Sequence, residues 1–316
     1  MKVIMIQHPH TFQKNDFAPL SVALGFFDGI HEGHKSVILT AKKTADEHGI
    51  NSAVMTFDPH PSVVLSETGG DVEYITPIED KIEFISGLGI DYLLIVRFTS
   101  AFASLQPAEF VQQYLLDLNV QYVTAGFDFT YGKYGKGTME TLPEHGQGKL
   151  QVVTVPKLEK NKEKVSSTWI RKLLREGRTE EVQELLGRFY TTKGTVIHGE
   201  KRGRQLGFPT ANIRLKNDYL VPKKGVYAVR MLVNDQWEKG VCNVGYKPTF
   251  HEPGQLELSV EIHLLDFDRS IYGEEVTIEW HLRIRDEQKF DHLEHLKDQI
   301  LKDKQTAQRF FEQDAK

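Results

Sequence analysis

The sequence predicts an α/β domain built on a parallel sheet, followed by a smaller all-β domain that ends in a helix. Three observations carry this reading. Short β-rich runs alternate with amphipathic stretches in the first half, the texture changes after Gly187 to short strands between turn signals, and helical spacing returns after Asp291. Strands that alternate with helices pair in parallel and are covered on both faces. Many short strands between turns close into a small barrel or a sandwich.

In chain order, the β-rich runs of the first half are residues 22–27, 53–57, 92–98, 122–127 and 150–155. Helical patterns lie between them at 35–48, 78–88 and 107–118. From 168 to 186 a helical pattern with apolar Ile170, Leu173, Leu174, Val182, Leu185 and Leu186 is broken by Gly177. The strands expected after that are 190–197, 227–233, 241–244, 256–265 and 275–280. Leu293, Leu296, Ile300, Leu301 and Phe310 then mark a helix over 291–313. The expected boundary falls near residue 187, dividing residues 1–186 from 187–316.

A chain of 316 residues with 40% hydrophobic and 26% charged residues can build a core in each of two domains. A net charge of −5 and a pI near 6.2 argue against a general nucleic-acid binder. The single cysteine, Cys242, excludes a disulfide framework and a cysteine zinc site. Within Gly240-Val241-Cys242-Asn243-Val244 it reads as a small buried residue rather than a nucleophile. The run Met1-Lys2-Val3-Ile4-Met5-Ile6 is too short for a signal peptide, and no apolar stretch approaches a membrane span. A cytoplasmic protein without membrane contact is expected.

The most informative stretch is Gly25-Phe26-Phe27-Asp28-Gly29-Ile30-His31-Glu32-Gly33-His34, where a strand-like run breaks at glycine. Glycines at a strand-to-helix junction let backbone approach a ligand, and a helix starting there aims its N–H groups and positive dipole end at it. His31 and His34, three apart, share one face of the first turn. This describes a phosphate site. A zinc pair or two solvated histidines is the alternative, but no cysteine lies nearby and no third ligand is evident. In Val165-Ser166-Ser167-Thr168-Trp169-Ile170-Arg171, Ser166 or Ser167 caps a helix, and the hydroxyls with Arg171 also make an anion cradle. The glycine-bracketed loop Gly126-Phe127-Asp128-Phe129-Thr130-Tyr131-Gly132-Lys133 is either a packed hairpin or a lid that stacks on a ring system.

Gly-x-Phe-Asp-Gly-x-His-x-Gly-His with the later Ser-Ser-Thr-x-x-Arg resembles the nucleotidylyltransferase superfamily. The Asp-Phe loop and Asp58-Pro59-His60-Pro61 make the chain similar to the adenylyltransferase module of prokaryotic bifunctional riboflavin kinase/FAD synthetases. The resemblance implies a Rossmann-like domain that binds the nucleotide through Gly25, Phe26, Phe27, Asp28, Gly29, His31, His34, Ser166, Ser167, Thr168 and Arg171. His31, His34 and Arg171 would stabilise charge, and Asp58, Asp128 and Phe129 would contact flavin. In one departure, Thr130 and Tyr131 stand where the family commonly has arginine and phenylalanine, so Lys133 or Lys136 is expected to supply the charge.

The second half opens with His198-Gly199-Glu200-Lys201-Arg202-Gly203-Arg204-Gln205-Leu206-Gly207. Three glycines at intervals of four among basic residues can wrap polyphosphate, or form an exposed basic turn. Thr210 and Asn212 face the same way in an extended segment and suit magnesium, a hard ion. Pro-Thr-Ala-Asn after a glycine-rich loop resembles riboflavin kinases, which implies a six-stranded barrel holding magnesium and ATP at Gly199, Lys201, Gly203, Gly207, Thr210 and Asn212.

From 256 to 265 the strand alternates, with Glu257 reading as part of a wet polar face. By resemblance Glu261 occupies the position of the catalytic carboxylate, and Arg285, Glu287 and Phe290 match a flavin-covering segment. The expected activities are phosphorylation of riboflavin to FMN and adenylylation of FMN to FAD, with ATP as substrate in both. A flavin- or nucleotide-binding regulatory protein that keeps the fold without catalysis is the rival reading, disfavoured because His31, His34, Arg171, Thr210, Asn212 and Glu261 are all present.

Overall fold

Strand β2 (Leu20–Leu24) is buried at every position, and β3 (Asn51–Asp58) and β4 (Tyr92–Arg97) are buried at all but their ends. Continuous apolar runs of this kind belong to parallel strands covered on both faces. The computed structural model describes residues 1–66, 72–199, 207–248 and 256–313. The chain forms two units, Met1–Ser167 and Thr168–Lys316.

In the first unit, β1 (Lys2–Ile6), β5 (Val120–Gly126) and β8 (Gln151–Val155) join those strands in a six-stranded parallel sheet of order β1-β4-β3-β2-β5-β8. The order reverses at β2, between β3 and β5, and ligands in such sheets bind beyond the strand carboxyl ends at that switch point. Strand β1 was not among the expected strands. It is an edge strand with Met5 62% exposed, so it lacks the buried run that marks its neighbours. Helix α1 (Glu32–His48) closes on Gly49 in left-handed conformation and buries Val37, Ile38, Ala41 and Ala45. Alternate residues of β2 feed two cores: Val22 and Leu24 enter one and Ala23 the other.

Short helices α2 (Pro61–Leu65), α4 (Ser100–Ala103), α5 (Pro107–Val111) and α6 (Leu142–His145) flank the longer α3 (Ile78–Gly87). The helix expected over 107–118 is thus only partly α-helical, because the chain passes into a π-helical turn at Gln112–Leu116. Two small hairpins, β6 (Thr130–Tyr131) with β7 (Gly137–Thr138) and β9 (Glu159–Lys160) with β10 (Glu163–Lys164), complete this half.

The second unit opens with α7 (Ser167–Glu176), which the unit boundary cuts after its first residue, and α8 (Thr179–Leu186). A closed antiparallel barrel follows, of order β11-β12-β15-β14-β13-β16. Its strands are β11 (Tyr190–Ile197), β12 (Ala211–Leu215), β13 (Gly225–Val233), β14 (Gln236–Pro248), β15 (Leu256–Leu264) and β16 (Glu275–Arg285). Closure leaves no sheet edge and decides for the barrel over the sandwich. Helix α9 (Leu293–Gln313) packs Ala307 and Phe311 into the core. The units divide at Ser167, upstream of the texture change at Gly187. Packing explains the difference: Thr179 of α8 is buried and its hydroxyl donates to the His281 carbonyl of β16 at 2.9 Å.

Candidate functional site

Residues 25–31 connect β2 to α1 at the switch point. A Cβ on Gly25 would lie 2.7 Å from the Phe27 ring, and Gly29 has φ of +88°. His31 is the N-cap of α1, and its Nδ1 accepts the His34 N–H at 3.2 Å. An accepting Nδ1 assigns the neutral ring's proton to Nε2, leaving a donor there. The two rings stack at 3.6 Å, and burial, then His31, Lys81 and Lys164, holds His34 well below 6.5. His34 is therefore neutral at pH 7, a hydrogen-bonding group rather than a cation.

Phe26 packs edge-on against the His60 ring at 4.3 Å. The buried carboxylate of Asp28 accepts backbone N–H groups of Ile75 and Thr76, while its carbonyl accepts the Ser167 hydroxyl at 2.7 Å. The hydroxyl-rich helix start is thereby brought to the glycine junction. Helix α7 begins at Ser167 with Ser166 just before it, and Thr168 and Arg171 continue the same helix.

Asp58 ends β3, its carboxyl raised by burial against the pull of Lys81 and Arg97. After β5, Asp128 pairs with Lys164, whose Nζ also lies 4.8 Å from the exposed Phe127 ring. Phe129 instead stacks on Tyr131, which is buried and bonds His145 at 2.8 Å. Thr130 and Tyr131 thus build the β6–β7 hairpin, with Lys133 over the ring of Tyr134. The cation beside Asp128 is Lys164, which sequence reasoning did not single out. Lys81 was also missed, although a lysine three residues after Ile78 and four before Ile85 sits on the helix's apolar face.

In the barrel, Asn212 of β12 is in register with Glu261 of β15. The Thr210 hydroxyl donates to Glu261 Oε2 at 3.5 Å and the Ser259 hydroxyl to Oε1 at 3.1 Å. Lys247 of β14 pairs with Glu261 and donates to Asn212 Oδ1 at 3.4 Å. An ammonium therefore sits between two of the expected chemical groups, and all the acceptors around it are hard oxygens. That donor chemistry fits magnesium. A Cβ on Gly199 would stand 2.2 Å from Asn212 Nδ2, so the glycine makes room for that amide. Gly207 has φ of +87°. Lys201 and Gly203 lie outside the described residues. Cys242 is buried and its thiol is pushed up by burial, matching a packed residue.

At the end of β16, Arg285 forms a bidentate pair with buried Asp303 of α9 at 2.8–3.1 Å and reaches the Phe290 ring at 6.0 Å. Glu287 lies against Gly245, where an added Cβ would come within 2.5 Å of its Oε1. The guanidinium expected at flavin is thus tied to the last helix here.

A family model described as FAD synthetase matches residues 13–169, and one described as riboflavin kinase matches residues 186–311. Proteins named bifunctional riboflavin kinase/FMN adenylyltransferase are 52% identical in Bacillus subtilis and 49% in Listeria monocytogenes, each over 98% of both chains. The Escherichia coli K12 protein of that name is 32% identical over 92% of both. A solved structure from Streptococcus pneumoniae, described as a macrolide-efflux protein, is 33% identical, covers 98% of this chain and 99% of its own, and has a TM-score of 0.86. Among the described residues, no helix is long and apolar enough to cross a membrane. Matched along nearly its whole length and by both family models, the chain belongs to the bifunctional riboflavin kinase/FMN adenylyltransferase family.

Proposed function

We propose that the two activities are divided between the two halves, with the barrel phosphorylating riboflavin and the parallel-sheet domain adenylylating FMN. The chain makes FMN from riboflavin and then FAD from FMN, consuming ATP in both reactions. The observation that carries the division is the presence of two unlike sites, one with a carboxylate among oxygen donors and one with stacked His31 and His34 at a helix start.

The difference follows from the nucleophiles. The 5′-hydroxyl of riboflavin must lose a proton as its oxygen attacks the γ-phosphorus and ADP leaves, and Glu261 takes that proton. Thr210 and Asn212 would hold magnesium, which when bound neutralises phosphate charge. Gly199 and Gly207 would bind the phosphates of ATP, together with Lys201 and Gly203. Arg285, Glu287 and Phe290 cover the flavin.

In the other half, a phosphate oxygen of FMN, already anionic, attacks the α-phosphorus of ATP and pyrophosphate leaves. No base is needed there. The step needs alignment and charge stabilisation, supplied by His31 Nε2–H, His34, the α1 N-terminus, Ser166, Ser167, Thr168 and Arg171. Gly25 to Gly29 form the nucleotide cradle, and Asp58, Asp128 and Phe129 place FMN. Both reactions use intracellular ATP, which supports a cytoplasmic setting. Incubation with riboflavin, ATP and magnesium, resolved by chromatography, tests the reading. FMN and FAD are expected with magnesium and neither with chelator. Retention of unaltered riboflavin would refute it.

A further inference from the structure

Beneath the glycine junction lies a cation that neither reaction has used. Lys81 is 2% exposed. Its Nζ donates to the Phe26 carbonyl at 2.8 Å and to Thr56 Oγ1 at 3.5 Å. The Thr56 hydroxyl donates to the same carbonyl at 2.9 Å, and the ammonium stands 4.3 Å from the Phe26 ring centre. Burying a charged amine is costly unless hydrogen bonds and opposite charges compensate it. Such a group is retained where it does something.

The backbone just downstream shows what it does. Phe27 and Ile30 have φ of +53° and +39°, flanking Gly29. Left-handed conformation at a bulky or β-branched residue is strained and persists only where the surroundings impose it. In a planar trans peptide the carbonyl and the next N–H point opposite ways. Tying the Phe26 oxygen inward, from both Lys81 and Thr56, therefore turns the Phe27 N–H outward and fixes the start of the strained turn.

We propose that Lys81 is a positioning residue for adenylyl transfer, its ammonium holding the strained junction in the conformation that accepts ATP. The inference rests on the junction being the ATP site of the first unit. It makes that site dependent on the lysine proton. Burial lowers the amine to about 8, against the attraction of Asp28 and Asp58. The charged and titratable groups facing it are Asp28 from the junction, Asp58 at the end of β3 and His34 on α1. Burial moves His34 down and Asp58 up only from the carboxylate range, so neither follows the lysine's window. Substrate phosphates titrate near 6, below it.

The test is the pH profile of kcat/KM for ATP in FAD formation from supplied FMN, using the full chain and Lys81→Met. Wild type should lose about tenfold per pH unit above about 8 as the ammonium is lost. Lys81→Met should be down about 10- to 100-fold at pH 7, mostly in KM for ATP, with no alkaline limb. The gap should close by pH 9.5. Lys81→Arg, charged throughout, should carry wild-type activity past pH 9, which a merely space-filling role would not produce. Circular dichroism and thermal melting of the same samples report folding of the first unit, and riboflavin phosphorylation should keep its own profile in all three. A Lys81→Met enzyme within twofold of wild type at pH 7, or an alkaline limb that survives in both variants, overturns the proposal. If His31→Ala with His34→Ala also spares FAD formation, the site assignment itself is at fault; if that pair abolishes it, only the role of Lys81 falls.

Discussion

Replacing Glu261 with glutamine removes one negative charge and almost no volume, so its effects on chemistry and on folding can be separated by size. The carboxylate accepts the hydroxyls of Ser259 and Thr210 and pairs with Lys247. A glutamine oxygen keeps the Ser259 bond, and Thr210 can rotate its hydroxyl to accept from the new NH2 group. What is lost outright is the ion pair. The Lys247 side chain is 40% exposed, so water takes over much of its solvation and the pair contributes about 0.2–1 kcal/mol. For a domain of this size that is at most a few degrees of melting temperature.

General-base assistance contributes roughly 10²- to 10⁴-fold in rate, or about 2.7–5.4 kcal/mol at 1.36 kcal/mol per tenfold. The loss of riboflavin phosphorylation should therefore exceed anything instability can cause. The assay is FMN formation by chromatography, with FAD formation from supplied FMN in the same preparation. We expect the first to fall by that range and the second to stay near wild type, because its nucleophile arrives charged. A phosphorylation rate within twofold of wild type would remove Glu261 as the base, and loss of the barrel's melting transition by circular dichroism would point to misfolding.

Gly199→Ala should raise the barrel's KM for ATP about 5- to 100-fold while FAD formation from FMN is unchanged. The new methyl collides with Asn212, and overpacking of this kind costs about 1–3 kcal/mol. Steady-state kinetics of both reactions check this. A fragment of residues 168–316 should fold and phosphorylate riboflavin, and one of residues 187–316 should melt lower. The shorter piece loses buried Val182, Leu185 and Leu186 of α8, each worth roughly 1.5–3 kcal/mol, and equal melting of the two by circular dichroism would contradict that packing.

The parts of the fold that sequence made legible are those whose residues carry their environment with them. β2, β3 and β4 read as strands because burial on both faces leaves only apolar side chains. β1 has an apolar run as well, Val3-Ile4-Met5-Ile6, but at the sheet edge Val3 and Met5 are exposed, so apolar content there does not report burial. The histidine pair was readable because its spacing and flanking glycines are local, and the structure makes His31 the cap of α1. Lys164 and Lys247 were not, since each acquires its partner from a segment distant in sequence: Asp128 lies 36 residues away, and Asn212 lies 35 away. Arg285 shows the same limit, because its partner Asp303 sits on a helix whose docking no motif encodes. Lys81 is the case where a signal existed. A charge at an apolar helical position was visible in Ile78, Lys81 and Ile85, and only its meaning needed the fold.

The proposed division of FMN and FAD synthesis between two separate sites, one in each half, is open to one decisive measurement. The most direct measurement gives the full chain with His31→Ala and His34→Ala riboflavin and ATP and follows both products over time. Riboflavin should be phosphorylated at close to the wild-type rate, and FMN should accumulate without conversion to FAD. Loss of both products from a folded protein, or continued FAD formation, would contradict it.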